Sequence, residues 1–256
     1  FQEGGSLMGI GSWDSDNPGW IEVHAIHLAD GTPLTLTPLE DGTLARAELP
    51  TPVPPGESVE LILEFEVQLP QVYARTGYYE DFFMVAQWFP KLGVWQNGAW
   101  NAHPYHANSE FYANFGTYDV HITLPGSYIT GATGLPVETT AHDDGTQTVH
   151  YHAEDVIDFA WTASPDFRQA TRQSGDIEIV YLYLPDHQWS VDRVLDMTAA
   201  GLEHYGAWFG PYPYARITVV DVPDQASEAG GMEYPTLFAV GTTSLLGGVN
   251  TGLNRT

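Results

Sequence analysis

Short runs of alternating apolar and polar residues dominate the first part of the chain, and this period of two is typical of half-buried β-strands. The clearest run spans residues 58–69, where glutamates alternate with five apolar side chains: Val59, Leu61, Leu63, Phe65 and Val67. Similar runs predict strands at 20–26, 118–124, 146–152, 156–163 and 177–184. Asp30-Gly31 and Asp41-Gly42 are turn signals that indicate successive hairpins. We therefore expect residues 1–170 to form an all-β domain.

A different pattern begins after Pro185. Apolar residues recur at helical spacing from Val191 to Phe209, and Gly210-Pro211 predicts the end of that helix. The segment 217–222 is typical of a buried strand, and 230–240 is predicted to be an opening segment followed by an edge strand. Residues 171–256 are therefore predicted to form a second, mixed α/β unit that is incomplete at its C-terminal end.

In the segment Gly230-Gly231-Met232-Glu233, backbone freedom and a single carboxylate occur together. Glycine has no Cβ, so another backbone can approach closely at Gly230 and Gly231, as in a protein that grips a peptide end. The same residues also fit an ordinary glycine turn that leads into a strand. The local pattern leaves both interpretations open.

The charge balance limits the classes of partner. The 256 residues include 33 Asp and Glu but only 8 Lys and Arg, so the formal net charge is -25. Such a surface repels phosphate backbones and anionic lipid heads, which argues against nucleic-acid binding and electrostatic membrane docking. It attracts cations, including free amino termini. No apolar run is long enough to span a bilayer, so we expect no membrane insertion by this chain.

The absence of cysteine excludes disulfides and thiolate metal sites. It does not fix the compartment, because many bacterial envelope proteins also lack cysteine. An acidic, lysine-poor, cysteine-free composition favours a bacterial extracytoplasmic or secreted location, and a cytoplasmic location stays open.

Aromatic residues concentrate between Tyr73 and Phe115. Two interpretations compete, because aromatic side chains fill the core of β-sandwiches and also stack sugar rings on the surface of carbohydrate-binding modules. The aromatics alternate with small residues instead of standing alone in polar loops, which favours the core.

Histidines and acids do not form a recognisable catalytic motif by spacing alone. Three pairs have spacings compatible with metal ligands: His24/His27, His103/His106 and His150/His152. His150 and His152 would share one face of a strand, but no acids at ligand spacing frame them with a helix. The sequence contains no His-Glu-x-x-His and no Gly-x-Ser-x-Gly. We therefore assign neither metal ligands nor catalytic residues.

Five segments nevertheless resemble one enzyme family, in that family's order and over nearly the whole chain. They are Gln87-Trp88-Phe89-Pro90-Lys91-Leu92-Gly93-Val94, residues 109–120, Asp158-Phe159-Ala160-Trp161, Phe209-Gly210-Pro211-Tyr212-Pro213-Tyr214, and Gly230-Gly231-Met232-Glu233-Tyr234-Pro235-Thr236. The chain resembles the N-terminal portion of the membrane alanine aminopeptidase and leukotriene A-4 hydrolase family of zinc metallopeptidases (gluzincins), particularly its bacterial members.

The resemblance implies a saddle-like N-terminal β-sandwich domain, residues 1–170. It also implies that residues 171–256 are the truncated α/β start of a thermolysin-like catalytic domain. The predicted fold class is thus mainly β, in agreement with the strand pattern.

The resemblance also implies a substrate-binding role for the segment around Glu233. In the family, the Gly-x-Met-Glu segment lines the cleft, and a substrate peptide pairs with its backbone as an added strand. Its Glu binds the free α-amino group of the substrate. Carried over, Glu233 is the amine-binding residue, and the segment that lines the substrate consists of Gly230, Gly231, Met232 and Tyr234.

Two departures from the family pattern affect the substrate site. Tyr234 stands where relatives have Asn, which weakens the inference of exopeptidase specificity but leaves the carboxylate of Glu233 in place. A second amine-binding acid or amide in the family comes from the β domain, upstream of the Phe-Pro block. The resemblance puts that role on Asp81 or Glu80.

The family's zinc ligands are missing from this sequence. They belong to a helical His-Glu-x-x-His and a later Glu, which in the family follow the Gly-x-Met-Glu segment. Zinc is therefore expected in a full-length parent, and this chain alone is expected to be inactive.

Two functions remain open. The first is a portion of a metallo-aminopeptidase-like hydrolase that acts in proteolysis on peptides with a free N-terminus. The second is a non-catalytic binding or structural module of a bacterial envelope protein, with a carbohydrate or protein partner.

Overall fold

A computed structural model describes residues 17–39, 42–72, 74–104 and 112–241. Its strands are β1 (Trp20–Leu28), β2 (Leu36–Pro38), β3 (Ala45–Ala47), β4 (Leu61–Gln68), β5 (Gly77–Tyr79), β6 (Phe82–Val85), β7 (Val94–Gln96), β8 (Ala99–Asn101), β9 (Gly116–Pro125), β10 (Ile129–Ala132), β11 (Leu135–Ala141), β12 (Thr146–Val156), β13 (Trp161–Ser164), β14 (Arg168–Ser174), β15 (Ile177–Tyr183), β16 (Arg216–Asp221), β17 (Met232–Tyr234) and β18 (Leu237–Val240). Helical segments are α1 (Val191–Phe209) and the 3₁₀ turns Pro185–Ser190 and Asp224–Ala229. The prediction of a mainly β fold is confirmed.

The chain divides into two compact units, and the first contains Gly19–Gln68 and Trp88–Asn114. Its strands form two-stranded antiparallel sheets that pair β1 with β4, β2 with β3, and β7 with β8. In β4 the predicted alternation is present, because apolar residues such as Leu63 are half-buried whereas Glu64 and Glu66 are exposed.

The second unit contains Leu69–Gln87 and the described residues from Phe115 onward. An antiparallel sheet has the strand order β10-β13-β6-β5, and another has the order β11-β12-β9. A five-stranded mixed sheet has the order β14-β15-β16-β18-β17, in which β15, β16 and β18 are parallel. The substrate-binding segment predicted above lies at the β17 edge of this mixed sheet.

Both faces of the mixed sheet are buried at its centre, which explains the continuous apolar run of β15. Ile179 and Tyr181 pack with Leu195 of α1 on one face. Val180 and Leu182 pack on the other face in a cluster with Met84 of β6. The helix occupies the residues that its apolar spacing predicted. In the described part of the chain, no helix is long and apolar enough to cross a membrane.

Three local expectations differ from the structure. The strand predicted at 156–163 is interrupted, because β12 ends at Val156 and the Asp158 carboxylate accepts a hydrogen bond from the Phe159 amide before β13 begins. The core interpretation of the aromatics holds for Phe82, but Trp95 and Trp100 are 56% and 57% exposed.

The third difference concerns 230–240, which forms two paired strands instead of one edge strand. β17 is the edge, and β18 lies inside the sheet between β17 and β16. The turn residue Asp41 and the segment 109–111 of the second family-like motif lie outside the described residues.

Candidate functional site

The edge strand β17 carries the acid that the sequence singled out. It pairs only with β18 in the described part of the chain, with the register Met232↔Ala239, Glu233↔Phe238 and Tyr234↔Leu237. Within the described residues its other edge is unpaired, so its backbone N–H and C=O groups can pair with an extended peptide that adds as a strand.

A strained turn holds β17 against β18. Pro235 and Thr236 connect the two strands, and Thr236 has a left-handed backbone with φ of 56°. That conformation is costly for a β-branched residue and persists only where other contacts impose it. Here the Thr236 carbonyl accepts a hydrogen bond from the Thr218 amide at 2.8 Å, and its hydroxyl accepts one from the Gly134 amide at 2.7 Å. These two hydrogen bonds thus position the hairpin.

The two glycines before β17 serve different purposes. A Cβ at Gly230 would lie 3.2 Å from the Gly241 amide nitrogen, the Ser227 carbonyl oxygen and a methyl group of Val222. The close backbone approach predicted at Gly230 is therefore made by the chain itself. Gly231 has φ of 70° and open space where a Cβ would point, so its need for glycine is conformational.

The Glu233 side chain is exposed on the open edge. Among the described residues, none makes a hydrogen bond or ion pair with its carboxylate. It is thus an anionic group at an edge with strand-pairing capacity, inside a chain of net charge -25. This combination suits a ligand that is both extended and cationic at one end.

Tyr234 fastens the hairpin to a neighbouring loop. Its hydroxyl donates to the Arg75 carbonyl oxygen at 2.8 Å, and the Arg75 amide donates to the Glu228 carbonyl oxygen at 3.1 Å. Ala74 and Arg75 have φ of 45° and 88°, a conformation uncommon for residues other than glycine. The hydrogen bond of Tyr234 therefore fixes β17 to the loop that contains Arg75.

The structure places Asp81 in the turn between β5 and β6, after Glu80 with φ of 50°. Its carboxylate accepts a hydrogen bond from the Tyr128 hydroxyl at 3.1 Å. The pKa of Tyr128 is raised mainly by burial and to a smaller extent by this hydrogen bond. No hydrogen bond joins Asp81 or Glu80 to Glu233 among the described residues. The assignment of Asp81 as a second amine-binding group stays a prediction.

Gln87, the first residue of the first family-like segment, makes a contact that its sequence pattern did not predict. Its φ is 55°, and its side-chain amide donates to Asp158 at 2.6 Å. Asp158 is buried and also accepts the Phe159 amide at 2.8 Å. This bond joins two of the family-like segments across 71 positions of sequence.

Ser190, His187 and Asp221 are buried together near the N-terminal end of α1, but their hydrogen bonds do not form a catalytic triad. Asp221 accepts hydrogen bonds from His187 Nδ1 at 2.7 Å and from the Leu184 amide at 3.1 Å. Ser190 donates to the backbone oxygen of His187, not to its ring, and also bonds the Tyr181 hydroxyl. Burial and the charge of Asp221 raise the pKa of Tyr181. The group ties a 3₁₀ turn to the sheet.

The described residues do not fit a zinc site. No group of three His, Cys, Asp or Glu side chains among them is arranged to hold a metal ion. His150 and His152 share a strand face as expected, but both bond Asp119. His24 pairs with Glu66 at 3.5 Å, and His106 lies outside the described residues.

Comparison with known proteins shows what this fold is similar to. No protein-family model and no curated protein matches the chain. A mutant of the M1 zinc metallopeptidase from Deinococcus radiodurans matches 79% of this chain and 47% of its own at 20% identity, with a TM-score of 0.56. The same mutant with a bound Tyr-Ser-Ala substrate matches at 18% identity and a TM-score of 0.52.

Aminopeptidase A from Legionella pneumophila, in complex with aspartic acid, matches 90% of this chain and 27% of its own. The identity is 15% and the TM-score is 0.60. The chain thus spans less than half the length of each of these enzymes. Over the matched part, it has the fold of M1 zinc metallopeptidases.

Proposed function

We propose that this chain is the N-terminal portion of a zinc-dependent, aminopeptidase-like metallopeptidase that acts on peptides with a free N-terminus. Three observations support the proposal. The fold is that of part of M1 zinc metallopeptidases. The five sequence segments occur in the order of that enzyme family. An exposed acid stands on the open edge of the mixed sheet.

The observation that carries the proposal is the position of Glu233. A peptide that adds to β17 as a strand has its backbone fixed by the edge, and its N-terminal ammonium can then bond the Glu233 carboxylate. No described residue competes for that carboxylate. Gly231, Met232 and Tyr234 flank it on the same edge segment.

Zinc belongs to the proposed parent enzyme, not to the residues described here. The described residues offer no arrangement that could hold the ion, and the sequence has no His-Glu-x-x-His. The role assigned to this chain is therefore to bind and align the peptide. We expect the 256-residue chain by itself to bind no stoichiometric zinc and to cleave no aminoacyl anilide. Chelator-sensitive cleavage by the isolated chain would overturn this part of the proposal.

The amine-binding role is tested in the full-length parent with Glu233→Ala and Glu233→Gln, assayed on aminoacyl anilides. A lost charged hydrogen bond is worth about 1.5–3 kcal/mol, which lowers kcat/KM roughly 10- to 150-fold. Glu203→Ala on the exposed side of α1 is the matched control and should keep the parent's kcat/KM. Equal melting temperatures show that all variants fold. Unchanged kcat and KM for both Glu233 variants would contradict the role.

The alternative function, an envelope module that binds sugars or partner chains, draws on the exposed Trp95 and Trp100. The two rings meet edge to face at 79°, with centroids 5.1 Å apart. A flat ring platform for sugars is therefore not formed, and the pair is better explained as a cross-strand contact of the β7–β8 hairpin. For either function we propose an extracytoplasmic or secreted location, from the acidic, lysine-poor composition.

A further inference from the structure

One face of the sheet β11-β12-β9 carries imidazoles and carboxylates that the proposed peptide site does not use. Asp119 and His121 lie on β9, and His150 and His152 lie on β12. The register pairs His121 with His150 and Asp119 with His152. Because alternate residues of a strand face the same side, these four side chains form a two-by-two block on the exposed face.

Two of the rings converge on one oxygen atom. His150 Nε2 and His152 Nδ1 each lie 2.9 Å from Asp119 Oδ1. A carboxylate oxygen only accepts hydrogen bonds, so both nitrogens carry a proton. The second nitrogen of His152, Nε2, lies 3.4 Å from Glu154 Oε1. His152 therefore lies between two carboxylates and can donate to both only as an imidazolium.

Acids occur on all three strands of this face. Besides Asp119 and Glu154, Glu138 of β11 pairs with His150 in the register. The ring of His121 stacks on that of His150, with centroids 4.2 Å apart and planes within 10°. The strands β9, β11 and β12 contain no Lys or Arg. A proton on His152 therefore supplies a positive charge that the adjacent carboxylates stabilise.

We infer that Asp119, His152 and Glu154 form a proton-dependent brace that ties β9 to β12 most strongly at mildly acidic pH. Hydrogen bonds to Asp119 and Glu154 raise the pKa of His152 above its usual value of 6.5. Hydrogen bonds from His152 and His150 lower the pKa of Asp119 below 3.8.

The direction of the pH dependence follows from these two shifts. The stabilisation from His152 is complete below pH 6.5 and is lost as the pH rises through the raised pKa of the folded protein. The stabilisation from Asp119 is present above pH 3.8 and is lost as the pH falls through the lowered pKa. The brace is strongest between these two values.

Histidine titration by NMR on the whole chain, in buffer with chelator, tests the brace. We expect His152 to titrate above 6.5 and its pKa to fall in Asp119→Asn, which keeps the side-chain shape but removes the charge. A His152 pKa at or below 6.5, or one that Asp119→Asn leaves unchanged, would overturn the inference.

Thermal unfolding gives an independent test. The melting temperature of the unmutated chain should decrease between about pH 6 and about pH 8.5, where the imidazolium loses its proton. In His152→Gln the decrease should be smaller. His204→Gln removes an exposed imidazole that lies beside Trp208 on α1, and it should keep the slope of the unmutated chain. Identical slopes for His152→Gln and His204→Gln would show that the brace does not exist.

Discussion

Gly134 and Gly145 have nearly the same φ angle but different surroundings. Substituting each with alanine therefore distinguishes the cost of a left-handed backbone from the cost of a steric clash. Their φ angles are 84° and 86°. A Cβ at Gly145 would meet nothing within 4 Å, whereas one at Gly134 would collide with the His152 carbonyl oxygen. Gly134 also donates the amide proton that holds Thr236, so its displacement would disturb the hairpin that carries Glu233.

We predict that Gly145→Ala costs about 1–2 kcal/mol of unfolding free energy, the usual price of a left-handed alanine. Gly134→Ala should cost at least about 4 kcal/mol, because backbone must move to relieve the clash. Urea unfolding of the two variants measures both values. Similar losses in the two variants would mean that the space beside Gly134 is not filled.

The sequence could predict that Glu233 is exposed, but not what surrounds it. An acid after two glycines at the start of a strand indicates an exposed carboxylate near flexible backbone, and the structure has that arrangement. The sequence could not show that Gly241 and Ser227 fill the space beside Gly230, because folding alone brings them there. The hydrogen bond from Gln87 to Asp158 could not be predicted for the same reason, since its partners lie 71 positions apart.

At the scale of elements, the sequence pattern predicted the bounds correctly where one apolar pattern extends over the whole element. The helix α1 and the strand β15 agree with their predicted spans because their apolar residues repeat without interruption. The prediction of one edge strand in 230–240 was wrong, because Pro235 and Thr236 make a tight turn between two strands. The left-handed residue of that turn is a threonine, so no glycine marks it in the sequence. The β7–β8 hairpin was missed although Asn97-Gly98, with φ of 53° and 80°, is a strong turn signal.

The β7–β8 hairpin gives a prediction at this scale. Each of its strands has three residues, so it is too short to be stable without side-chain contacts across the strands. Trp95 and Trp100 are directly opposite and meet edge to face. We predict a coupling energy of about 0.5–1.5 kcal/mol between them.

A double-mutant cycle of Trp95→Ala, Trp100→Ala and the double variant, followed by chemical unfolding, measures that coupling. Loss of the exciton signal of paired indoles in circular dichroism should accompany either single substitution. If the two substitutions are additive, the ring contact contributes nothing to the hairpin.

For the molecule as a whole, the dominant electrostatic feature is an excess of negative charge. With 33 acids and 8 bases, most carboxylates have no base to pair with. Two ion pairs join Arg172 to Asp196 and Arg216 to Glu178. On β1 and β4, Glu22 lies directly opposite Glu66, an arrangement that is unfavourable in an antiparallel pair. This excess of negative charge therefore opposes folding.

We predict that the melting temperature rises steeply with sodium chloride at low concentration and then levels off. Screening shortens the Debye length from about 30 Å at 0.01 M to about 3 Å at 1 M, so repulsion between carboxylates is removed before general salt effects dominate. Glu22→Gln removes one repulsive pair and should raise the melting temperature at low salt, with its advantage disappearing at high salt. A melting temperature independent of salt, or an advantage of Glu22→Gln that persists at high salt, would show that self-repulsion does not limit stability.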